Sequence, residues 1–105
     1  MNVLIVENEK PAAEKLQRLL EKTDENITIA GVTETVEDTI NWLQSNPSPD
    51  LIMMDIQLDD GICFELFDTI KVETPVIFTT AYNEYALQAF RFSAVDYLLK
   101  PVNCR

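Results

Sequence analysis

A doubly wound α/β domain built on a five-stranded parallel sheet is what this chain predicts, and three observations carry the prediction. Five short apolar runs alternate with four segments of helical period. The first, third and fourth runs are continuously apolar rather than alternating, as strands covered on both faces must be. No repeat, linker or charge block divides the 105 residues, so the whole pattern belongs to one domain.

The elements follow in order. Val3-Leu4-Ile5-Val6 is the first strand. The first helix carries Ala13, Leu16, Leu19 and Leu20 on one stripe, with Pro11 in its opening turn, where a missing N–H does no harm. Residues 27–32 form a weaker second strand, interrupted by Thr28. Val36, Ile40 and Leu43 mark the second helix, and Asn46-Pro47-Ser48-Pro49 ends it and delivers the chain into the third strand, Leu51-Ile52-Met53-Met54. Cys63, Leu66, Phe67 and Ile70 mark the third helix, and Pro75-Val76-Ile77-Phe78-Thr79 the fourth strand. Ala86, Leu87, Phe90 and Phe92 mark the fourth helix, and Ala94-Val95 with Tyr97-Leu98-Leu99 the fifth strand. Trp42 and the Phe residues of the third and fourth helices read as core or helix surface. Right-handed crossovers make the flavodoxin-like strand order 2-1-3-4-5 the compact solution. After Lys100-Pro101 only four residues follow, so the domain, residues 1–105, is expected to stop before the helix that would come after the fifth strand.

Composition narrows the chemistry. A chain of 12.0 kDa exposes roughly 17,000 Å² unfolded and roughly 6,000 Å² folded, so a core forms without a metal or disulfide staple. With 18 acidic residues against 8 basic, the net charge of −10 repels nucleic acid and anionic membrane surfaces. The absence of His excludes a Ser-His-Asp triad, a Cys-His pair and any His-ligated metal. Cys63 and Cys104 lie far apart and match no Cys-x-x-Cys pattern, so they read as free thiols of a cytoplasmic protein. The first ten residues have no basic region of a signal peptide, and no run of about 18 apolar residues is present to span a membrane. Glu21, Asp24, Glu25, Glu34, Glu37 and Asp38 read as solvated faces far from the sheet's functional edge.

Sites in open α/β sheets form at the carboxyl ends of the strands. There the first strand delivers Glu7 and Asn8, the third Asp55, the fourth Thr80 and the fifth Lys100, followed by Pro101. Two carboxylates, an amide, a hydroxyl and an ammonium thus converge on one edge. Oxygen ligands without His or thiolate suit a hard cation such as Mg²⁺. A lone Lys suits a phosphate, and Asp55 can act as the nucleophile that forms an acyl phosphate. Each residue also has a plainer reading. Asp55 can be a helix cap or loop acid, Glu7 a solvated acid, Thr80 a β-branched strand residue, Lys100 a strand exit and Tyr97 ordinary core. Asn8 reads equally as ligand and as helix cap, and Glu9 belongs to the first helical turn, where its charge suits the macrodipole.

Five pieces, in order and each at a strand end, resemble the receiver domains of two-component response regulators, most like those that precede LytTR-type DNA-binding domains. They are Val3-Leu4-Ile5-Val6-Glu7-Asn8-Glu9, Met54-Asp55-Ile56-Gln57-Leu58, the Asp60-Gly61 turn, Phe78-Thr79-Thr80-Ala81-Tyr82, and Asp96-Tyr97-Leu98-Leu99-Lys100-Pro101. The resemblance implies a CheY-like fold and a phosphoacceptor at Asp55, supplied by a sensor histidine kinase. It implies Mg²⁺ held by Glu7, Asn8, Asp55 and the backbone carbonyl of Gln57. Thr80 and Lys100 would contact the phosphoryl oxygens, Thr80 and Tyr97 would form the switch, and Gln57 and Tyr82 would tune loss of the phosphate. The face of the fourth helix and fifth strand would serve a homodimer or an output domain outside these residues, through which alone DNA would be reached. Such a domain turns over no external substrate.

Asn8 departs from that pattern, since the family usually has a carboxylate there. Weaker Mg²⁺ binding and slower phosphorylation are expected, with a phosphorylation-independent pseudo-receiver as the alternative. An aspartyl-phosphate phosphatase would place its nucleophile after the first strand with a second Asp two residues on; here the candidate Asp55 follows the third strand and residue 57 is Gln, which argues against that class. A flavin module would need a Ser/Thr/Gly phosphate loop where Glu7-Asn8-Glu9 stands.

Overall fold

A computed structural model describes residues 1–80 and 94–99, with side chains through residue 79. The element order is β1 (Asn2–Val6), α1 (Lys10–Thr23), β2 (Thr28–Thr33), α2 (Val36–Ser45), β3 (Leu51–Asp55), β4 (Gln57–Leu58), β5 (Gly61–Ile62), α3 (Phe64–Thr69), β6 (Val76–Thr80) and β7 (Ala94–Leu99). The main sheet has the order β2-β1-β3-β6-β7, every neighbouring pair parallel. This is the predicted doubly wound order, with β3 at its centre.

The continuous apolar strands divide their side chains between two cores, because successive residues point to opposite faces. Val3, Ile5 and Met53 pack with Ala13 and Leu16 of α1. Leu4, Val6, Ile52, Met54, Val76 and Phe78 pack on the other face with Val36 of α2 and Leu66 of α3. Phe78 is fully buried. The rings of Phe64 and Phe67 meet it edge-on, at centroid distances of 5.4 and 6.0 Å, a favoured aromatic geometry. The third-helix aromatics are half-buried and pack against this core, within the expected reading of core or helix surface.

Several boundaries differ from the sequence reading, each for a local reason. The second strand runs 28–33 rather than 27–32. It is the sheet edge, so only alternate residues are covered and Val32 is exposed. A register shift lies between Val3 and Leu4 of its partner strand and sets Gly31 opposite Leu4. A Cβ at Gly31 would stand 2.6 Å from Trp42 Nε1, so glycine lets the indole lie directly on the strand backbone. The fourth predicted strand begins at Val76 rather than Pro75. Proline has no N–H for the ladder, yet its carbonyl still accepts from Ile52 N at 3.0 Å. The third helix is shorter than its stripe, with Cys63 and Ile70 flanking it as caps. Glu9 is the residue that precedes α1 rather than part of its first turn, and Lys10 and Pro11 open the helix. The hairpin of β4 and β5 has no counterpart in the apolar pattern, being two residues a side. The predicted fourth helix lies outside the described residues.

Glu34, Glu37 and Asp38 are exposed as expected. They are not remote from the functional edge, because a helix that follows a parallel strand starts at that strand's carboxyl end.

Candidate functional site at the carboxyl edge of the sheet

The site begins where β1 and β3 run out of apolar residues. Val6 lies opposite Met54 in the parallel register, so Glu7 and Asp55 are the next residues on adjacent strands, which lie about 4.8 Å apart. Both are buried, at 4% and 5% exposure. The Glu7 N–H donates to Thr33 O at 2.9 Å, and the Ile56 N–H donates to Thr79 O at 3.1 Å, so the pairing persists one residue past each strand and holds the two acids in place. The Gln57 N–H approaches Asp55 Oδ1 at 3.4 Å, and the Gln57 side chain is exposed.

The chain leaves Asp55 through the β4–β5 hairpin, with Gln57 opposite Ile62 and Leu58 opposite Gly61. Gly61 has φ +147°, a conformation open to glycine, and the Glu65 carboxylate occupies the space a Cβ would need. The two turn residues then reach different elements. Asp59 Oδ1 accepts from Asn8 Nδ2 at 2.9 Å. Asp60 accepts from Val36 N at 2.7 Å and from Glu37 N at 3.1 Å. Thr35 Oγ1 accepts from Asp38 N at 3.0 Å, so three successive donors at the start of α2 are satisfied. The Val36 bond above all holds the Asp60 carboxyl below its usual pKa; desolvation opposes it, and the bonds from Glu37 and from Asp60's own N–H add to the lowering.

Beneath the hairpin lies Cys63, fully buried, its N–H donating to Ile56 O at 2.7 Å. Burial pushes its thiol far above the ordinary range, and the charge of Asp55 adds to the shift. It is a packing residue, not a nucleophile.

The structure thus brings Glu7, Asn8, Asp55 and Gln57 together at one edge. Thr80 closes β6 opposite Leu99, and Tyr97 of β7 lies opposite Phe78. Tyr82 and Lys100 lie outside the described residues. Asn8 is not the helix cap, since Glu9 holds that position and the Asn8 amide is engaged by Asp59. Sequence reasoning missed Asp59 altogether and took Asp60 only as a turn residue. An Asp pair in a turn signals turn chemistry, but nothing in a linear pattern shows contacts across 51 and 23–24 residues.

These residues fit a hard cation. The Asn8 amide oxygen is buried and accepts no hydrogen bond among the described residues, so an acceptor is left open at the strand end that also carries Glu7. No group of three or more His, Cys, Asp or Glu able to hold a metal occurs among the described residues. No helix among the described residues is long and apolar enough to cross a membrane.

A doubly wound sheet with one buried acid just past β1 and a second ending the central strand has the architecture of a receiver. The chain belongs to the response regulator receiver domain family, whose model matches residues 3–105. Its relatives include the sensory transduction protein LytT of Bacillus anthracis, 43% identical over 96% of this chain, and the positive alginate biosynthesis regulatory protein of Pseudomonas aeruginosa, 38% identical over 97%. The chain spans 42% of the length of each. Among solved structures, the response regulatory domain of protein mrkE from Klebsiella pneumoniae superposes with a TM-score of 0.85 at 30% identity, covering 98% of this chain and 85% of that one. These relatives agree with the LytTR-type resemblance of the motifs.

Proposed function

We propose that this receiver is an active phosphoacceptor. In this reading a phosphohistidine on a sensor kinase donates a phosphoryl group to an Asp55 carboxylate oxygen. The P–N bond breaks as the P–O bond of the acyl phosphate forms. The observation that carries the reading is the buried Asp55 at the end of the central strand, set beside Glu7 and the unsatisfied Asn8 amide oxygen. Glu7, Asn8, Asp55 and the Gln57 carbonyl would hold Mg²⁺. When bound, the ion supplies the positive charge that two carboxylates and an incoming phosphoryl group require. The chain's own part is positional: β1 and β3 fix the two buried acids at adjacent strand ends. Thr80 and Lys100 would bind phosphoryl oxygens, and a shift of Thr80 and Tyr97 would alter the surface of the fourth helix and β7. That surface would then control an output domain outside these residues, transcriptional if the resemblance to LytTR-type regulators extends to it.

Intact-mass spectrometry after incubation with Mg²⁺ and acetyl phosphate tests this, beside Asp55→Ala. One added phosphoryl group in the parent and none in the variant is the expected result. No adduct from folded protein at high Mg²⁺ would favour the second reading, a pseudo-receiver that binds partners without phosphate. The observation behind that reading is Asn8, which leaves two carboxylates in the pocket.

A further inference from the structure

Asn8 is the weak point of the proposed metal site, and its surroundings compensate for part of the weakness. A side-chain amide has a donor end and an acceptor end of nearly equal shape, so a free Asn can present either to a pocket. Here the choice is made chemically. Asp59 Oδ1 lies 2.9 Å from the amide, and a carboxylate oxygen accepts only from the NH₂ end. The oxygen is therefore the other end, buried and accepting nothing among the described residues. Asp59 itself is exposed in the hairpin turn and belongs to no group of acids able to hold a metal among the described residues. Its side chain bonds to Asn8.

We propose that Asp59 is a positioning residue for the cation site: its carboxylate locks the Asn8 amide so that the oxygen is the end offered to Mg²⁺. A locked amide loses no orientational freedom on binding, and its bond to a carboxylate makes the oxygen a better donor. A neutral ligand then serves where a carboxylate would otherwise stand. The proposal rests on the reading of this edge as a Mg²⁺ site.

Calorimetric titration with Mg²⁺ alone, on the parent and four variants, tests it. Asp59→Ala should weaken binding about tenfold, the lower end of the range for a residue that orients a ligand. Asp59→Asn should bind more weakly than the parent but more tightly than Asp59→Ala, because its carbonyl still accepts from the Asn8 NH₂ end while its own NH₂ also permits the reversed pairing. In the Asn8→Asp background no amide remains to be oriented, and two carboxylates face each other. There Asp59→Ala should strengthen binding. The sign reversal is a readout that a loss of local structure would not produce. The Asn8 side-chain NH₂ resonances give a second readout, displaced in the parent and collapsing toward free-amide positions in Asp59→Ala. Equal losses in Asp59→Ala and Asp59→Asn, or the same loss in both backgrounds, overturn the proposal. So does an Asp59→Ala affinity equal to the parent's. Absence of saturable Mg²⁺ binding by the parent overturns the metal-site reading itself, and the proposal with it.

Discussion

At the scale of single residues, the site joins groups of opposite exposure. Asp55 and Glu7 are buried at the strand ends, whereas Gln57 and Asp59, two and four positions after Asp55, are exposed. Asn8→Asp is expected to raise Mg²⁺ affinity by restoring a third carboxylate, measured by titration of the folded protein. The gain is reduced while Asp59 remains, since the new charge would face it across a former hydrogen bond. Cys63 is expected to resist thiol reagents in the folded state. Its thiol is pushed far above its ordinary value by burial and by Asp55, so almost no thiolate exists at neutral pH. Peptide mapping after brief alkylation checks this, with Cys63 unlabelled until denaturant is added. Rapid native labelling there would contradict the packing described.

At the scale of elements, the β4–β5 hairpin ties the Asp55 exit to α2. Asp60 caps that helix from another segment, taking the Val36 and Glu37 donors that Thr35 does not reach. Asp60→Ala is expected to cost about 1 kcal/mol in denaturant unfolding, the usual loss for a helix cap. The pH dependence has a definite sign. The Asp60 pKa is lowered on folding, so between the folded and unfolded values the unfolded chain binds more protons. Its contribution is whole above the ordinary carboxyl value of about 3.9 and is lost as pH falls through the folded value. The stability gap between parent and Asp60→Ala should therefore be constant near neutrality and close in acid. In the neighbouring core, Phe78→Ala would remove the ring that Phe64 and Phe67 both contact. A cost of about 3–5 kcal/mol is expected from the transfer loss and the cavity together.

For the whole molecule, the governing quantity is a net charge of −10 with two of its acids buried at one edge. Adjacent buried carboxylates repel each other and lose solvation, a cost that a bound cation offsets. Mg²⁺ is therefore expected to raise the melting temperature by mass action, with about 2.7 kcal/mol gained at a hundred times Kd. Asp55→Asn should melt higher than the parent without Mg²⁺ and gain less from adding it. Thermal denaturation of both proteins across a Mg²⁺ series is the check. An unchanged melting temperature in the parent would remove the cation from this account.

The architecture was legible in the chain because its signals are local. Continuous apolar runs need cover on two faces, helical stripes need one, and short connections leave few ways to stack them. The strand-end positions of Glu7, Asn8 and Asp55 followed from the same pattern, since parallel strands all end on one edge. The edge strand's exact register, the start of β6 after Pro75 and the two-residue hairpin depended on single hydrogen bonds and a glycine conformation, which leave no period in a sequence. The reach of Asp59 to Asn8 and of Asp60 to α2 was decided only by tertiary structure. A carboxylate in a turn carries no record of which distant donor it will meet; folding brings the hairpin over both the β1 exit and the α2 terminus, and proximity then selects the partner.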